Sequence, residues 1–561
     1  MKLRPYQQDS HDAVFKEWED VVSTLVVAPT GTGKTVLFAA IINTLQPKRA
    51  MVVAHREELI WQAREKIEAF TGLHCEIEMA DLQAENSLFH SSPVVISTVQ
   101  TQNSSMGMRK RMSRFDPMDF GALIIDECHR GTADTYQNLI NYYRKNPDLR
   151  ILGVTATPDR QDEQALGQIF DSVAHDYEIL DAIHDGWLVP IEQQFVHVSG
   201  LDFSRVRTVA GDLNGADLAA VMEAEANLQG VAGASMEIIG DKRTLVFTAS
   251  VNQAEMLCNI FNRHRHGMAG WVCGKTNKDD RRSLLSQFSD GTTQVVVNCG
   301  VLTEGYDNPW VECIVMARPT KSRSLYAQMA GRSTRPIPGL VDGLETAEER
   351  RMAIASSKKP KCLIIDFVGN SGRHKLMSSV DILGGKVSDE ACSRALARAT
   401  KGGKPVAMSA LLDECESEIK QEELLRRKRE EELRKHKVVA KVKYTKKSVN
   451  PFDVLDIQPA VSRGWDQGKQ LSLKQRAVLS KQGINPDEFG YAASRQLINE
   501  MFRRWKGNEC TFGQAKVLKR YDLPTNVTKE QASAWLDSLA KNGWRKPSNM
   551  GEIVPESNIP F

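Results

Sequence analysis

A short stretch near the start of the chain has the residue types and spacing of a phosphate-binding loop. Residues 28–35 read Ala-Pro-Thr-Gly-Thr-Gly-Lys-Thr and lie between two apolar runs. The two glycines let backbone N–H groups crowd around phosphate oxygens, where a Cβ atom would clash. The Lys34 ammonium could reach the β- and γ-phosphates, and the Thr35 hydroxyl could bind Mg²⁺. The alternative is a Gly-Lys-Thr turn that binds nothing, and the next motif argues against it.

An acidic pair further along the chain provides the second half of a nucleotide site. Asp126 and Glu127 follow the apolar run of residues 122–125, which we predict to be a strand. Carboxylates at the C-terminal end of such a strand face the crevice where open α/β sheets bind ligands. Asp126 is suited to hold a metal, and Glu127 is suited to deprotonate an attacking water. A solvated acidic turn is the alternative, but with the phosphate loop the pair predicts hydrolysis of a nucleoside triphosphate.

A later motif places two arginines one helical turn apart. Residues 328–335 read Gln-Met-Ala-Gly-Arg-Ser-Thr-Arg, so Arg332 and Arg335 can point the same way. Arginines brought from a second domain to a triphosphate held by the first would stabilise transition-state charge. A pair of surface arginines is the alternative. Near the N-terminus, the Gln7 amide offers both a donor and an acceptor and could read the adenine edge.

The elements that must position these residues alternate between strands and helices. Apolar runs predict the strands, and residues 57–70 predict one of the intervening helices. The alternation stops after Pro158 and begins again later without a second phosphate loop. This pattern predicts an α/β fold with two doubly wound parallel sheets. The apolar runs are residues 24–28, 50–54, 94–100, 122–125 and 151–158, then 244–249, 295–297, 313–316 and 362–365.

Composition limits the classes that the chain can belong to. Its 561 residues, 41% of them hydrophobic, predict several domains with ordinary cores. The net charge is only +2, so any basic surface must be local. The ten cysteines include no Cys-x-x-Cys pair, which argues against zinc and against a disulfide framework. With no signal peptide and no apolar run of roughly 18 residues, we expect a soluble protein of a reducing compartment without a membrane partner. The family resemblance described next implies that this compartment is the cytoplasm.

The order of the motifs resembles that of superfamily 2 helicases of the DECH type, within the DEAD/DEAH-box-like group. The resemblance covers roughly residues 1–370. Residues 301–307, 318–326 and 366–374 are also similar to bacterial RadD-like repair helicases and related phage DNA helicases. The motifs are, in family order, residues 4–7, 28–35, 54–59, 97–98, 126–129, 155–157, 247–248, 303–307 and 328–335.

The resemblance implies two tandem RecA-like domains that bind ATP and Mg²⁺ and act on nucleic acid, DNA rather than RNA. It implies catalytic roles for Glu127, Gln328, Arg332 and Arg335. Nucleotide contacts would come from Arg4, Gln7, Pro29, Thr30, Gly31, Thr32, Gly33, Lys34, Thr35, Gly305 and Asp307, and metal contacts from Thr35 and Asp126. His129, Thr155 and Thr157 would couple the sites, and His55, Arg56, Ser97, Thr98, Thr248 and Thr303 would contact nucleic acid.

Beyond about residue 384 the composition changes. Residues 416–447 are almost all Glu, Lys and Arg with interspersed leucines, and their charges are purely basic from Lys435 to Lys447. We interpret this segment as a charged helical linker. A basic arm that lies against phosphates is the alternative.

The C-terminal part holds an internal repeat with a spacing of 39 residues. Residues 472–475 match 511–514, and Trp505 and Trp544 keep the same spacing. Each copy predicts a Ser/Thr-capped helix followed by a second helix, and therefore a small all-α domain. The tryptophans are either core residues or part of a surface for nucleic acid or a partner protein. The basic residues of such a surface would be Arg503, Arg504, Lys506, Lys516, Lys519 and Arg520.

These interpretations together predict four segments and one activity. The segments are a RecA-like ATP-binding domain (1–190), a second RecA-like domain (191–385), the charged linker (386–450) and the all-α repeat module (451–561). The predicted activity is that of an ATP-dependent DNA helicase or translocase in repair, recombination or replication. An RNA-remodelling helicase, or a nucleic-acid-binding ATPase that acts as a switch or clamp, remains the alternative.

Overall fold

The computed structural model describes residues 3–85, 92–128, 134–156, 166–209, 211–303, 305–371, 374–401, 403–436 and 450–546. Two compact units divide the chain: a larger unit of residues 1–162 and 168–429, and a smaller unit of residues 163–167 and 430–561. Across the described ranges, no helix combines the length and the apolar character that a bilayer span requires.

The first sheet of the larger unit has seven strands, all parallel, in the order β3-β4-β2-β7-β8-β1-β9. The central strands are buried along their length, as expected where helices cover both faces. Because the strands are parallel, the turn after β1 and the end of β7 meet at one edge. The strands are β1 Ser23–Val27, β2 Arg49–Ala54, β3 Cys75–Glu78, β4 Val94–Thr98, β7 Phe120–Asp126, β8 Arg150–Thr155 and β9 Ser172–Asp176; β5 Ser105–Met106 and β6 Arg109–Lys110 form a separate hairpin.

The second sheet also has seven strands, in the order β14-β15-β13-β16-β17-β10-β18. All pairs are parallel except the short edge strand β18, which runs antiparallel to β10. The strands are β10 Ile191–Asp202, β13 Thr244–Thr248, β14 Ala269–Cys273, β15 Val295–Cys299, β16 Cys313–Ala317, β17 Cys362–Asn370 and β18 Val406–Ala407; β11 Thr208–Val209 and β12 Asp212–Leu213 form a hairpin.

Helices connect and cover these strands. Those up to β10 are Pro5–Glu17, Lys34–Thr44, Glu57–Thr71, Val99–Asn103, Asp134–Tyr143 and Ile179–His184. The later ones are Gly215–Met222, Glu225–Ile239, Val251–His264, Lys278–Asp290, Arg323–Ala330, Ala347–Ala355, Ser379–Leu383, Asp389–Lys401 and Met408–His436.

The segment predicted as a linker begins with residues that pack into a core. The apolar face of Asp389–Lys401, and the following helix as far as Ile419, lie in the same hydrophobic cluster as Ile314 and Ile364 of the second sheet. The sequence pattern did not reveal this packing, because the charged residues that dominate it belong to the outer face of each helix. Of the predicted basic arm, Lys435 to Lys447, residues 437–447 lie outside the described residues.

The smaller unit is helical and shows the internal repeat. Ser472 and Thr511 cap the first helices, and Gln475 and Gln514 complete reciprocal capping boxes. The predicted fold class, two α/β domains followed by a helical C-terminal region, is confirmed. The helices are Pro451–Leu455, Leu473–Lys481, Tyr491–Lys506, Phe512–Arg520 and Lys529–Lys541.

The two tryptophans at the repeat spacing lie outside the core of this unit. Trp505 is 70% exposed and Trp544 is 52% exposed, whereas Trp535 is buried. The interpretation of Trp505 and Trp544 as core residues is therefore wrong.

Candidate active site

The phosphate loop forms where β1 ends and the helix Lys34–Thr44 begins. Gly31 and Gly33 have φ angles of +94° and +78°, in the left-handed region that other residues avoid. A Cβ atom on Gly33 would lie 2.7 Å from Nε2 of Gln7, and one on Gly31 would lie 3.1 Å from the Arg335 side chain. Glycine is thus required twice, and the loop keeps the backbone cradle that phosphate oxygens need.

Lys34 is buried beside Glu127. Its Nζ donates to Glu127 Oε1 at 2.8 Å, and the two side chains are only 12% and 10% exposed. Burial lowers the pKa of Lys34, but the carboxylates of Glu127 and Asp126 more than offset this effect, so the pKa is raised. Lys34 therefore stays charged, and a phosphate bound to the loop would compete with Glu127 for its ammonium group.

Asp126 ends β7, and the chain turns sharply at the next residue. Glu127 has a φ angle of +49°, and its N–H donates to Asp126 Oδ1 at 3.0 Å. Burial raises the pKa of Asp126 to about 6, against the opposing effect of the Lys34 ammonium. Such a buried carboxyl gains strongly from a nearby cation.

The oxygen donors at this edge fit Mg²⁺. That ion prefers oxygen ligands, keeps several waters and commonly binds through one or two carboxylates and the substrate phosphates. Asp126 offers a carboxylate, and Thr35 offers a hydroxyl in the first turn of the helix Lys34–Thr44. These two residues could therefore hold the metal, as the sequence predicts.

The N-terminal motif, residues 4–7, stabilises the phosphate loop through hydrogen bonds. Nε2 of Gln7 donates to the Thr32 carbonyl at 2.9 Å, and its Oε1 accepts from the Arg4 N–H at 3.0 Å. The Tyr6 hydroxyl donates to the same carbonyl, and the Tyr6 ring stacks on Tyr177 at 4.6 Å between centroids. In this conformation both ends of the Gln7 amide bind within the protein, so its contact with adenine stays a prediction.

Arg335 reaches the phosphate loop from the second sheet. Its Cγ and Nε lie against Gly31, and its guanidinium forms an ion pair with Asp307. Burial lowers the pKa of Arg335 to about 10, and the nearby Arg4 adds to this effect. A partly buried arginine beside the loop has the location that an arginine finger requires.

Arg332 has a different environment. Its Nη2 and Nε donate to the Thr303 carbonyl at 2.7 and 3.1 Å, and its Nη1 donates to the Tyr306 carbonyl at 2.6 Å. The side chain thus fixes the backbone of the segment that also carries Asp307. The two predicted catalytic arginines therefore differ, since Arg335 lies at the loop and Arg332 supports a neighbouring segment.

Further contacts join the first domain to the predicted motifs of the second domain. Nε2 of Gln62 donates to the Gly305 carbonyl at 2.6 Å. A Cβ atom on Gly331 would lie 3.0 Å from Cβ of Thr30 in the phosphate loop. Gln328 is buried on the helix Arg323–Ala330 that leads to this contact. The motifs are therefore close in space although they are distant in sequence.

Four of the six residues predicted to contact nucleic acid are buried: Ser97, Thr98, Thr248 and Thr303. The Ser97 hydroxyl donates to the Glu78 carbonyl at 2.7 Å, and the Thr98 hydroxyl caps the helix Val99–Asn103. The Thr248 hydroxyl donates to the Asn298 carbonyl at 3.0 Å. The hydroxyls of Ser97, Thr98 and Thr248 thus bond within the protein in this conformation. Contacts of the six residues with nucleic acid stay a prediction. His55 and Arg56 are partly exposed.

Only one of the residues predicted to couple the two sites can be located. Thr155 ends β8 and is buried, and its carbonyl accepts from the Ala28 N–H at 2.9 Å, directly before the phosphate loop. His129 and Thr157 lie outside the described residues. Their coupling role stays a prediction.

Sequence reasoning missed three residues that shape the site. Tyr6 and Gln62 make the contacts described above, and Lys359 is 2% exposed. Its Nζ donates to the carbonyls of Arg335 and Pro309 at 2.7 and 2.8 Å, and burial lowers its pKa to about 8. Tyr6 could have been noticed because it adjoins Gln7. Gln62 and Lys359 carry no local signal.

Two family profiles match the larger unit. "Type III restriction enzyme, res subunit" matches residues 1–160, and "Helicase conserved C-terminal domain" matches residues 231–336. The first match includes the phosphate loop and the acidic pair, and the second ends just beyond Arg335. Together with the ordered motifs and the two sheets, these matches support the predicted similarity of the larger unit to superfamily 2 helicases. The similarity to RadD-like helicases within that superfamily stays a prediction.

Individual relatives agree with this class. IRC3 of Saccharomyces cerevisiae, named as an ATP-dependent helicase, is 29% identical over 386 residues, which are 66% of this chain and 52% of IRC3. The irc3 protein of Schizosaccharomyces pombe is 28% identical over 386 residues, 67% of this chain and 59% of its own. Rad25 of Halobacterium salinarum, named as a DNA 3'-5' helicase, is 29% identical over 342 residues, 60% of this chain and 52% of its own length. The chain spans between 52% and 59% of the length of these relatives.

Proposed function

We propose that the protein is an ATP-dependent DNA helicase or translocase. The observation that carries this proposal is the convergence of groups from two sheets on one phosphate loop. Lys34 and Glu127 form a buried ion pair beside the loop, and Arg335 of the second domain lies against Gly31. A nucleotide bound there would contact both domains, so its hydrolysis would change how the domains are held together.

The chain's own residues would carry out hydrolysis as follows. The Lys34 ammonium group would leave its ion pair with Glu127 and bind the β- and γ-phosphate oxygens. The Glu127 carboxylate would then be free to accept a proton from the attacking water. Arg335 stabilises the negative charge that develops on the transferred phosphoryl group. Mg²⁺, held by Asp126 and Thr35, would neutralise charge on the same oxygens. Loss of the γ-phosphate removes the anion that Lys34 and Arg335 share.

We propose DNA as the nucleic acid on which the protein acts, because relatives carry the names of a DNA helicase and of a restriction endonuclease subunit. Rad25 is named for a DNA 3'-5' helicase, and a further relative is the EcoKI type I restriction endonuclease subunit of Escherichia coli, 24% identical over 402 residues. The ten cysteines are all free thiols, which supports a reducing, cytoplasmic location.

ATP hydrolysis measured with single-stranded DNA, duplex DNA, forked DNA and single-stranded RNA tests the proposal. We expect DNA to stimulate hydrolysis more than RNA of the same sequence. A strand-displacement assay on the forked DNA, run beside it, detects separation of the strands. Equal or greater stimulation by RNA would favour an RNA-remodelling enzyme. Stimulation by DNA without displacement or movement along the strand would favour a switch or clamp.

A further inference from the structure

The repeat of the smaller unit presents two tryptophans at equivalent positions. Trp505 is followed by Lys506, and Trp544 by Arg545, so each copy carries a Trp-basic pair. All four side chains are exposed. Tryptophan is usually highly buried, and its exposure twice at one repeat position needs an explanation other than core packing.

The backbone holds the second tryptophan outward. Trp544 has a φ angle of +59°, a left-handed conformation that is costly for a residue with a bulky side chain. Its N–H donates to the Leu539 carbonyl at 2.7 Å, and its ring stacks on Tyr521 with 6.4 Å between centroids and 26° between planes. This arrangement fixes one face of the indole and leaves the ring 52% exposed.

The two tryptophans lie at opposite ends of one helix. The N–H of Lys529 donates to the Asn508 carbonyl at 2.9 Å, which places the start of the helix Lys529–Lys541 beside the end of the helix that carries Trp505. Trp544 follows the other end of Lys529–Lys541. A helix of 13 residues rises about 20 Å, so the segments that carry the two exposed rings lie roughly that far apart on the surface of the smaller unit.

The smaller unit is also basic although the whole chain is nearly neutral. Residues 450–546 contain 16 Lys and Arg against 10 Asp and Glu, a net charge of +6, compared with +2 for the whole chain. Arg503 is held by Glu500 and Glu509, and Arg504 by Glu500. Within residues 450–546 no ion pair occupies the other basic residues near the tryptophans, which are Lys506, Lys516, Lys519, Arg520, Lys541, Arg545 and Lys546.

We propose that this surface binds single-stranded nucleic acid, with bases stacked on Trp505 and Trp544 and with Lys506 and Arg545 at the adjacent phosphates. Stacking requires unpaired bases, whereas basic residues alone would serve duplex and single strand alike. This inference rests on the proposed function in that the same strand would be the motor's track.

The test uses the full-length protein without nucleotide and a fluorescently labelled oligothymidylate, with binding measured by anisotropy. Base–aromatic stacking is worth about 1–3 kcal/mol per base, so Trp505→Ala or Trp544→Ala should weaken binding by roughly 5- to 150-fold. Trp544→Phe keeps an aromatic face and should recover most of the affinity. Leu473→Ala removes an apolar side chain of the same unit that is 87% exposed and should change nothing.

Salt dependence tests the phosphate contacts separately. Lys506→Gln and Arg545→Gln should each reduce the slope of log affinity against log salt by about 0.7, the value for one phosphate contact with a single strand. Arg476→Gln is the matched control, because Asp487 already holds Arg476 at 2.7 Å. A duplex of the same sequence should lose little affinity in the tryptophan variants.

The outcomes separate this inference from the proposed function. Unchanged single-strand affinity in the Trp505→Ala/Trp544→Ala double variant would overturn the inference, even if the motor hydrolyses ATP on DNA. A protein without DNA-stimulated hydrolysis, but with the predicted losses of single-strand binding, would overturn the proposed function and leave the inference intact. An equal loss for duplex and single strand would overturn stacking. Basal hydrolysis without nucleic acid should be the same in wild type and in the tryptophan variants.

Discussion

The two sheets of the larger unit share one architecture but differ in chemistry. In both, six parallel strands follow one another in matching order, so that β1 of the first sheet corresponds to β10 of the second. β1 leads into the glycine turn and Lys34, whereas β10 continues through Leu201 and Asp202 without such a turn. The duplicated framework therefore does not determine the chemistry, which depends on the turn that follows a single strand.

The second sheet contributes to the same site in another way. Arg335 reaches the phosphate loop from a turn beyond the helix Arg323–Ala330, and Lys359 holds the Arg335 backbone from within the second domain. The first sheet thus carries the groups that would bind phosphate, and the second domain supplies the Arg335 guanidinium group to the same site. This division makes the response to nucleotide a property of both domains together.

Replacing Arg335 tests the contribution of the second sheet and should have the largest effect. We expect Arg335→Ala to lower kcat by about 10³–10⁵-fold, as for other arginine fingers, with nucleotide affinity changed much less. Steady-state kinetics together with equilibrium nucleotide binding measure the two quantities. A higher KM with an unchanged kcat would make Arg335 a ground-state binder.

Arg332 provides the comparison within the second sheet. Its guanidinium binds the carbonyls of Thr303 and Tyr306, so Arg332→Ala should lower kcat by disturbing the segment that holds Asp307. Because that effect is structural, we expect a lower thermal unfolding midpoint as well. For Arg335→Ala we expect kcat to fall without a comparable loss of stability.

Glu127→Gln tests the first sheet. The amide could hold a water but could not accept its proton, so turnover should fall by about 10²–10⁴-fold while nucleotide binding remains. Lys34 should bind the triphosphate at least as well, because its carboxylate competitor is gone. Hydrolysis within a few-fold of wild type would show that another group acts as the base.

Asp366 provides a smaller test on the second sheet, away from the nucleotide. Burial raises its pKa to about 7, although Tyr326 and Gln193 donate hydrogen bonds to it, and nearby Asp381 raises it further. The folded state therefore binds a proton that the unfolded state releases between about pH 4 and 7. Stability should fall as the pH rises through this range, by at most about 1.4 kcal/mol per pH unit from this group.

Asp366→Asn should remove that part of the pH dependence, measured by thermal unfolding between pH 4 and 8. Asp279→Asn, whose side chain is 86% exposed, is the control and should leave the pH dependence unchanged. A pH profile for Asp366→Asn that is identical to that of wild type would show that Asp366 is not protonated in the folded protein.

The central strands of both sheets were predictable from their apolar runs, whereas several strands nearer the edges were not. Each of the nine apolar runs contains a strand, but β3, β9, β10, β14 and β18 were missed. In β10, Gln193, Gln194 and His197 interrupt the apolar pattern. Gln193 is buried because Asp366, Tyr326 and Ser379 satisfy its amide. Those partners are far away in sequence, so local composition could not reveal them.

The site shows the same limit. The residue types of Lys34, Asp126 and Glu127 indicate phosphate and metal chemistry directly. The Lys34–Glu127 ion pair and the Gln7–Thr32 hydrogen bond depend on how remote segments pack. Sequence also could not show that Ser97 and Thr248 turn their hydroxyls to the backbone, since the same residue types would suit a nucleic-acid contact.

DNA-dependent ATP hydrolysis by wild type and Lys34→Ala tests the central claim most directly. The carboxylates of Glu127 and Asp126 raise the pKa of the buried Lys34 side chain. Without the Lys34 ammonium group, the bound triphosphate would lose its main compensating charge. We expect DNA to accelerate hydrolysis by wild type, and we expect Lys34→Ala to lose at least about 10²-fold in turnover. Lys34→Ala should still bind single-stranded DNA, which shows that it is folded. Near-normal DNA-stimulated turnover in Lys34→Ala would contradict the assignment of the phosphate loop as the site that drives the motor.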